Sequence, residues 1–359
     1  MSELYLAGAS IAVLILYYIY KSVLSSPSPS PSPTHKPMKI CNIYIYPIKS
    51  LRATTLTTAL ATQHGFQHDR SFMLVQVLPD GTHKNMAVSR YPEMTRFFPT
   101  IDIDKGSIAI TYRPVNPAQA PRTLEVPLEP ATSDLERFDI AMHGSPTPAF
   151  KMPGQYSAWF TECFAYDVML VYLGENRREV LFKDMVVKSA PTAITSLFKP
   201  NLPSNQRITF ADCAPYLVVS ATSLADVSSR LPPDQPMDVT KFRPNIVIAG
   251  APSPWEEDFW RRIRIGGVEI VMMHNCVRCA SVNIDYETGR PGTGESGAVL
   301  KKLQKDRRVD RGAKWSPVFG RYSFWGTAKS PSQVFAVGDE VRVVEVQKER
   351  SVFGKPILG

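Results

Sequence analysis

Short apolar runs rich in valine, isoleucine and tyrosine recur along the chain from Lys39 onward, and turn-forming residues separate them. Runs of this length and composition are typical of β-strands. The pattern predicts nine strands, at Ile40–Tyr46, Ser71–Leu78, Ile108–Tyr112, Val168–Tyr172, Asn245–Ala249, Ile263–Ile265, Val268–Met273, Ala280–Ile284 and Val341–Val346. Gly266-Gly267 and Gly338-Asp339 predict tight, hairpin-type turns beside these strands.

Helical patterns are few by comparison. One helix is predicted at Tyr156–Phe164 and another at Leu224–Arg230, where Ser223 and Asp226 have the spacing of a capping box. Many strands with few helices indicate a mainly β fold, built from β-barrels or sandwiches that helices decorate.

The first residues form a separate apolar segment. Leu4 to Tyr20 is a run of 17 residues without a charge, which just suffices to cross a bilayer. A cleaved signal peptide is the alternative, but Met1-Ser2-Glu3 is acidic and no small-residue cleavage motif follows. We therefore predict one transmembrane helix at residues 4–24. The lysines that follow it predict a body that faces the cytosol.

Residues 25–37 alternate serine and proline, so they can form neither a helix nor an internal strand. We expect a polyproline-like linker, which at about 3.1 Å per residue reaches roughly 40 Å. Beyond it, we predict two β domains, at residues 38–195 and 205–347. The polar, proline-containing stretch Pro191–Gln206 marks the boundary between them.

The composition narrows the choice of partners. The 359 residues include 44% hydrophobic ones, as in a globular protein, and carry a net charge of +8. This charge favours an anionic ligand, an acidic protein or an anionic membrane surface. The basic residues are not interleaved with aromatic ones as in single-strand nucleic-acid binders, so we expect no nucleic acid. Five cysteines without dense spacing indicate free thiols in a reducing compartment.

The segment His274-Asn275-Cys276-Val277-Arg278-Cys279 carries the most chemical information. A Cys-x-x-Cys pair can be half of a zinc site, a redox dithiol, one metal thiolate with a neighbour, or two buried structural cysteines. Structural zinc needs about four protein ligands, and the sequence has no second Cys or His pair. A thioredoxin-like dithiol requires a following helix, whereas residues 280–284 are predicted as a strand. Spacing alone leaves the metal thiolate and the structural pair open.

Five short motifs, in order along residues 39–346, resemble those of the MOSC family, the molybdenum cofactor sulfurase C-terminal-like proteins, and in particular its amidoxime-reducing members. Any one motif is weak evidence, but five in order are hard to produce by chance. They are Tyr46-Pro47-Ile48-Lys49-Ser50, Asp69-Arg70, Phe242-Arg243-Pro244-Asn245-Ile246-Val247, Cys276-Val277-Arg278-Cys279 with Asp285-Tyr286-Glu287-Thr288-Gly289, and Phe319-Gly320-Arg321-Tyr322.

The resemblance implies a MOSC-type β-barrel domain, an N-terminal β-barrel-like MOSC domain, and a bound molybdenum cofactor. Cys279 aligns with the metal's thiolate ligand, and cationic Arg278 beside it should favour the ionised form. The family's cofactor-binding positions correspond here to Lys49, Ser50, Arg70, Ala211, Asp212, Cys213, Arg243, Asn245, Val277 and Arg278. Cys213 departs from the usual hydroxyl residue, and Asp212 is equally well interpreted as a loop cap.

The resemblance further implies reduction of N-hydroxylated compounds, with electrons from NADH through cytochrome b5 reductase and cytochrome b5. The fingerprint of nicotinamide binding is a Gly-x-Gly-x-x-Gly that directly follows an apolar strand, and the one stretch with this spacing, Gly292 to Gly297, does not follow one. Two alternatives remain: a molybdenum-cofactor or sulfur carrier, in which Cys279 holds a persulfide, and a membrane-tethered binding module without turnover. The anchor suits either the mitochondrial outer membrane or the endoplasmic reticulum.

Overall fold

The structure, a computed structural model, describes residues 37–180 and 206–352. Its first range is mainly β. The strands are β1 Met38–Ile45, β2 Thr54–Leu56, β3 Thr58–Thr62, β4 Gly65–Phe66, β5 Phe72–Val77, β6 His83–Asn85, β7 Phe97–Asp102, β8 Ser107–Tyr112, β9 Arg122–Pro127, β10 Arg137–Met142, β11 Ser145–Lys151, β12 Val168–Tyr172 and β13 Arg178–Glu179.

The second range continues with short strands and loops. Its strands are β14 Arg207–Ile208, β15 Tyr216–Ser220, β16 Ile246–Ala249, β17 Trp260–Ile265, β18 Val268–Val277, β19 Ile284–Asp285, β20 Arg290–Pro291, β21 Val318–Ala328, β22 Ser332–Ala336 and β23 Glu340–Val346. The α-helices of the described ranges are α1 Gly154–Phe164, α2 Ala221–Ser229 and α3 Val299–Gln304. One-turn 3-10 helices lie at Pro92–Arg96, Val239–Phe242, Glu256–Asp258, Ala280–Asn283 and Ser296–Ala298.

Seven strands close into a barrel. In spatial order they are β1, β16, β15, β21, β18, β17 and β23, and β23 pairs with β1 again. All neighbours are antiparallel except β15 and β16, which run parallel with Val218 opposite Ile246. Inward-facing aliphatic side chains such as Ile43, Ile263 and Met272 are fully buried in its core. The first strand of the described residues is thus paired with two strands from the second half of the sequence.

Two further sheets surround a second core. The five-stranded sheet has the order β10-β11-β12-β5-β6, and β7-β8-β9 form a three-stranded meander. Helix α1 packs on them through Phe160 and Phe164, and the Phe97 ring stacks on Phe164 with centroids 4.7 Å apart. This half of the molecule is held by aromatic and aliphatic burial.

Most predicted strands are confirmed within a few residues at each end, including Val168–Tyr172 with identical bounds. The hairpin at Gly266-Gly267 is also confirmed, with Ile265 opposite Val268. The turn at Gly338 joins β22 to β23, which pair with other strands rather than with each other. These results agree with a mainly β fold that has few helices.

Two local predictions are wrong. Residues Ala280–Asn283 form a 3-10 helix and only Ile284–Asp285 pair as a strand, because Cys279 starts a one-turn reversal after β18. The capping residue of α2 is Ser220, whose side chain accepts a hydrogen bond from Thr222 N at 3.2 Å. Ser223, predicted as the cap, instead lies inside the helix and donates to Glu257.

Several predictions fall outside the described ranges. These are the transmembrane helix at residues 4–24, nearly all of the linker at 25–37, and most of the boundary stretch Pro191–Gln206. Among the helices of residues 37–180 and 206–352, none combines the length and apolarity needed to cross a bilayer.

Candidate functional site

A cleft of about 110 Å³ opens at one end of the barrel. Its walls come from the ends of β15, β18 and β21, from the loops that precede β15 and β16, and from the turn before β5. The lining residues are Arg70, Ala211, Asp212, Ala214, Leu217, Lys241, Phe242, Arg243, Asn245, Cys276, Val277, Arg278, Cys279, Ser281 and Tyr322. Eight of the eleven site residues predicted from the sequence are therefore brought together, although they are spread over more than 200 positions.

The two cysteines of the pair differ sharply in their surroundings. Cys276 is at the end of β18 and only 3% exposed, and burial raises the pKa of its thiol. Cys279 follows the strand, is exposed, and caps the 3-10 helix Ala280–Asn283. Its Sγ lies 3.2 Å from Ser281 Oγ. Of the two, Cys279 has the thiol that an incoming metal can reach.

The guanidinium of Arg278 is hydrogen-bonded to backbone carbonyls. Its Nε and Nη2 donate to the Phe319 carbonyl at 2.9 and 2.6 Å, and Nη1 donates to the Phe242 carbonyl at 2.8 Å. The guanidinium also lies 5.2 Å from the Phe242 ring centroid. These contacts tie the loop that carries Cys279 to β21 and to the Val239–Phe242 turn, so Arg278 shapes the cleft through its backbone contacts.

Two arginines lie against one buried tyrosine. The guanidinium carbons of Arg70 and Arg243 are 4.6 and 4.2 Å from the ring centroid of Tyr46, which is fully buried. Both arginines have left-handed backbones, with φ of 54° and 57°. Non-glycine residues in this region cost about 1–3 kcal/mol each and persist where the surroundings hold them. Their side chains are thereby fixed at the cleft wall.

Asn245 connects the pieces of this wall. Its Oδ1 accepts from Leu217 N at 3.1 Å and from Arg70 Nη1 at 3.3 Å, and its Nδ2 donates to the Tyr44 carbonyl at 3.2 Å. Arg70 also bonds Asp69, with Nη1 2.5 Å from Oδ2. Because its amide is occupied by these partners, Asn245 acts by positioning β1, β15 and Arg70.

Lys49 and Asp212 form an ion pair next to the cleft. The Lys49 ammonium also donates to the Phe210 carbonyl at 3.1 Å, and burial lowers the pKa of this lysine. Desolvation would raise the pKa of Asp212, but the Lys49 ammonium and a hydrogen bond with His143 hold it well below its usual range. The Asp212 carboxylate is thus ionised and paired, which goes beyond a simple loop cap.

Three predicted site residues do not line the cleft. Lys49 lies behind Asp212, and Ser50 is buried with its hydroxyl donating to the Met86 carbonyl at 3.3 Å. Cys213 packs beneath the cleft beside Phe324, and burial raises the pKa of its thiol to about 12. A thiol with that pKa stays protonated at neutral pH, so Cys213 is a poor anionic ligand.

Family models match both halves of the chain. The MOSC N-terminal beta barrel domain matches residues 38–167, and the MOSC domain matches residues 205–342. The chain belongs to the MOSC family.

This MOSC protein is similar in sequence to several named relatives. It is 27% identical to human "Mitochondrial amidoxime-reducing component 1" over 83% of both chains. It is also 27% identical to bovine "Mitochondrial amidoxime reducing component 2" over 79% of this chain and 77% of that protein. A rice "Molybdenum cofactor sulfurase" is 24% identical over 69% of this chain but only 28% of its own length. These relatives support a molybdenum-related function.

The cleft of this MOSC protein fits an anionic cofactor with a thiophilic metal. Arg243 Nη2 is buried and has no hydrogen-bond partner in the described part of the chain. A buried unpaired donor is costly, so it indicates a missing acceptor. Lys241 and Arg243 have no carboxylate within ion-pair distance in residues 37–180 and 206–352. The exposed Cys279 thiol completes the set with a soft ligand.

Some of the residues that line the cleft were not predicted from the sequence. Lys241 immediately precedes the Phe242-Arg243 motif, and burial lowers its pKa. Tyr322 ends the late Phe-Gly-x-Tyr motif, and its hydroxyl bonds the thiols of Cys213 and Cys276. Both lie within or beside recognised motifs, so motif proximity was the available signal. Ser281 offered none, because its segment was predicted as a strand.

Proposed function

We propose that this protein is a molybdenum-cofactor oxidoreductase that reduces N-hydroxylated compounds such as amidoximes and hydroxylamines. The observation that carries the proposal is the exposed Cys279 thiol at the mouth of a cleft in which Lys241 and Arg243 have no carboxylate partner among the described residues. The similarity to two amidoxime-reducing components over most of their length supports it.

The residues of the cleft would divide the work of holding the cofactor. Cys279 would bind the metal as a thiolate. Arg243 and Arg70 would contact the anionic pterin and its phosphate, because the guanidinium fork suits bidentate oxygen acceptors. When bound, the cofactor would supply the two electrons that, with two protons, cleave the N–O bond of the substrate to give an N–H group and water.

Other residues would orient that machinery. Arg278 and Asn245 hold the Cys279 loop and Arg70 through backbone and amide contacts. Asp212 would repel an anionic ligand on its own, but the Lys49 ammonium neutralises it. Ala211 and Val277, the other cofactor-binding positions that the resemblance implies, also line the cleft.

Electrons would come from NADH through cytochrome b5 reductase and cytochrome b5. The net charge of +8 suits an acidic haem protein as donor. We place the protein at the mitochondrial outer membrane or the endoplasmic reticulum, held by residues 4–24 with its body in the cytosol. The word "mitochondrial" in the relatives' names favours the first membrane.

A second candidate function is that of a cofactor or sulfur carrier without reductase turnover. The match to part of a molybdenum cofactor sulfurase favours it, and so does the exposure of Cys279, which is accessible enough to hold a persulfide. The carrier would contain a Cys279 thiol heavier by one sulfur atom, which intact-protein mass spectrometry detects.

The decisive experiment combines metal analysis with an activity assay on the purified full chain. We expect about one molybdenum and one pterin per chain, and NADH-dependent loss of an amidoxime once cytochrome b5 and its reductase are added. Molybdenum without turnover, together with a sulfur adduct on Cys279, would favour the carrier. A chain that contains neither molybdenum nor pterin would contradict the reductase, and the further absence of a sulfur adduct on Cys279 would contradict the carrier.

A further inference from the structure

A strongly basic surface flanks the turn that carries Cys279. We call it the basic rim and define it by five exposed cations, Lys301, Lys305, Arg308, Arg311 and Lys314, which lie on α3 and on the loop between α3 and β21. Next to Lys314, the side chain of Trp315 is 80% exposed. None of these residues belongs to the cleft described above.

The basic rim is attached directly to the Cys279 turn. Helix α3 packs against the 3-10 helix Ala280–Asn283, and Leu300 N donates to Asn283 Oδ1 at 2.8 Å. On the other side, Arg278 N donates to the Pro317 carbonyl at 2.8 Å, two residues after Trp315. A protein seated on the basic rim would therefore lie beside the exposed Cys279.

The positive charge of this surface is uncompensated. No member of the basic rim has an ion-pair partner in residues 37–180 and 206–352. The nearby carboxylates are already engaged: Asp306 with Arg230, Glu295 with Lys302, and buried Asp310 with the Asn275 amide. Uncompensated charge of one sign steers oppositely charged partners and raises their association rate by about 10- to 1000-fold.

Trp315 gives this surface an apolar anchor. Trp315 buries little of its side chain within the fold, and tryptophan and arginine are enriched among the residues that dominate the binding energy of protein interfaces. Redox encounters use small interfaces, below about 1,200 Å², so one anchor within a charged surface suits a transient electron-transfer complex. A helix that lies in a membrane surface needs a broad apolar face instead, whereas the basic rim offers a single exposed aromatic ring.

We infer that the basic rim and Trp315 form the docking surface for a small acidic electron-carrier protein, which delivers electrons next to Cys279. This inference rests on the proposed reductase function. The inference adds the surface at which the electron donor binds.

The test measures binding and turnover separately on the full, molybdenum-loaded chain. The probe is a soluble cytochrome b5 domain, and the variant is Lys305→Glu/Arg308→Glu/Lys314→Glu. We expect its association rate at low salt to fall by at least about tenfold, and the difference to shrink at high salt. Trp315→Ala should raise the dissociation rate. Amidoxime reduction driven by reduced methyl viologen should remain unchanged in both variants.

A matched control reverses three exposed cations of the other half, Lys84→Glu/Arg90→Glu/Arg137→Glu, and should bind the cytochrome as the unsubstituted chain does. Equal binding by the basic-rim triple variant and the unsubstituted chain would overturn the docking surface. So would salt-sensitive binding to phosphatidylserine vesicles that the triple variant loses while cytochrome binding persists. Failure of the unsubstituted chain to reduce amidoximes with methyl viologen would contradict the proposed function instead.

Discussion

Polar side chains lie on both faces of the β18–β21 ladder, and their hydrogen-bond partners differ between the two faces. On the side away from the cleft, Arg321 Nη1 donates to Asn275 Oδ1 at 2.6 Å, and Asn275 donates to buried Asp310 at 2.7 Å. On the cleft side, the same strands contribute Cys276 and Tyr322 to a wall that also contains cations. Neighbouring residues of the same two strands therefore have different roles: one set stabilises the fold, and the other lines the cleft.

The contrast extends to the charges around each side. Behind the ladder, Arg307 is held by both oxygens of Asp258 at 2.9 Å, and both side chains are almost fully buried. At the cleft, Arg243 keeps a buried donor without a partner. Arg321 Nε, behind the ladder, is also buried without a partner in the described residues, so Arg243 is available for a ligand because its free donor lies in the wall of the cleft. Sequence position does not distinguish Arg307 from Arg243, but their surroundings in the structure do.

The largest expected effect separates the two cysteines of the cleft. Cys279→Ala should lower turnover by at least about a hundredfold and change the metal's paramagnetic signal, because even substitutions around metal ligands cost 10- to 100-fold. Cys276→Ala should retain most activity, since burial raises the pKa of its thiol and keeps it protonated, and the side chain is almost fully buried in the cleft wall. Turnover and electron paramagnetic resonance spectra of both variants provide the measurement.

Two outcomes would overturn this assignment. Equal damage from both substitutions, with reversible inactivation by a Cys276–Cys279 disulfide, would favour a redox dithiol. No effect from either would leave two structural cysteines and remove the case for molybdenum at this loop.

The next effect concerns the support side of the ladder. Asp258→Ala leaves Arg307 buried without a counter-ion, and we expect it to lower the free energy of unfolding by about 3–5 kcal/mol. Glu162→Ala breaks the exposed pair with Arg122 and should change it by less than about 1 kcal/mol. Urea unfolding of both variants measures the difference. Comparable losses would show that burial of the Arg307–Asp258 pair adds nothing.

The sequence predicted the parts of the fold that depend on local pattern. Strands such as Val168–Tyr172 and Val268–Val277 are buried in the sheet and barrel cores, so their sequences are apolar runs that can be recognised locally. Barrel closure was beyond local pattern, since β1 pairs with β16 about 200 residues away. The long strand β21 was missed because Gly320 interrupts its run. A Cβ there would lie 2.7 Å from Val219 Cγ1, and its φ is +81°.

The candidate site was predictable as a set of residues but not as a set of roles. Motif resemblance selected Arg70, Arg243 and Cys279, and the cleft brings them together. It gave Arg278 and Asn245 cofactor-binding roles as well, yet the side chains of both donate hydrogen bonds to backbone carbonyls. Those contacts come from residues distant in the chain, so no short segment encodes them.

A titratable carboxyl on the support side gives a smaller, pH-dependent effect. Glu257 is fully buried, and burial raises its pKa from 4.5 to about 7. The folded state therefore holds its proton more tightly than the unfolded state. The stability it contributes is complete below pH 4.5 and is lost as the pH rises to about 7, a change of roughly 3 kcal/mol at most.

Glu257→Gln keeps a neutral partner for Ser223 at every pH, so it should remove this loss. We expect the variant and the unsubstituted chain to unfold at the same urea concentration at pH 4.5, and the variant to resist more urea at pH 8. Parallel pH profiles for the two chains would show that Glu257 does not titrate in this range.

The smallest expected effect tests the binding side of the comparison. Arg243→Ala should lower the pterin retained after gel filtration, because it removes a charge-assisted contact of about 1.5–3 kcal/mol. Its melting temperature should change much less than that of Asp258→Ala, since the variant loses the contacts with the Tyr46 ring and the Leu51 carbonyl but leaves no buried carboxylate unpaired within the described ranges. Lys49→Ala should also lower retention, because it leaves the Asp212 carboxylate unneutralised beside the cleft.

Arg137→Ala, which removes an exposed cation of β10, is the matched control and should retain the full pterin content. The comparison between the two sides of the ladder requires that Arg243 and Asp258 respond in opposite ways. The Arg243 variant should lose cofactor and keep most of its stability, whereas the Asp258 variant should lose stability, with retention per folded molecule little changed. If Arg243→Ala left pterin content unchanged, its idle donor would be an ordinary unsatisfied group, and the wall of the cleft would have to hold the cofactor through Arg70 and backbone N–H groups instead.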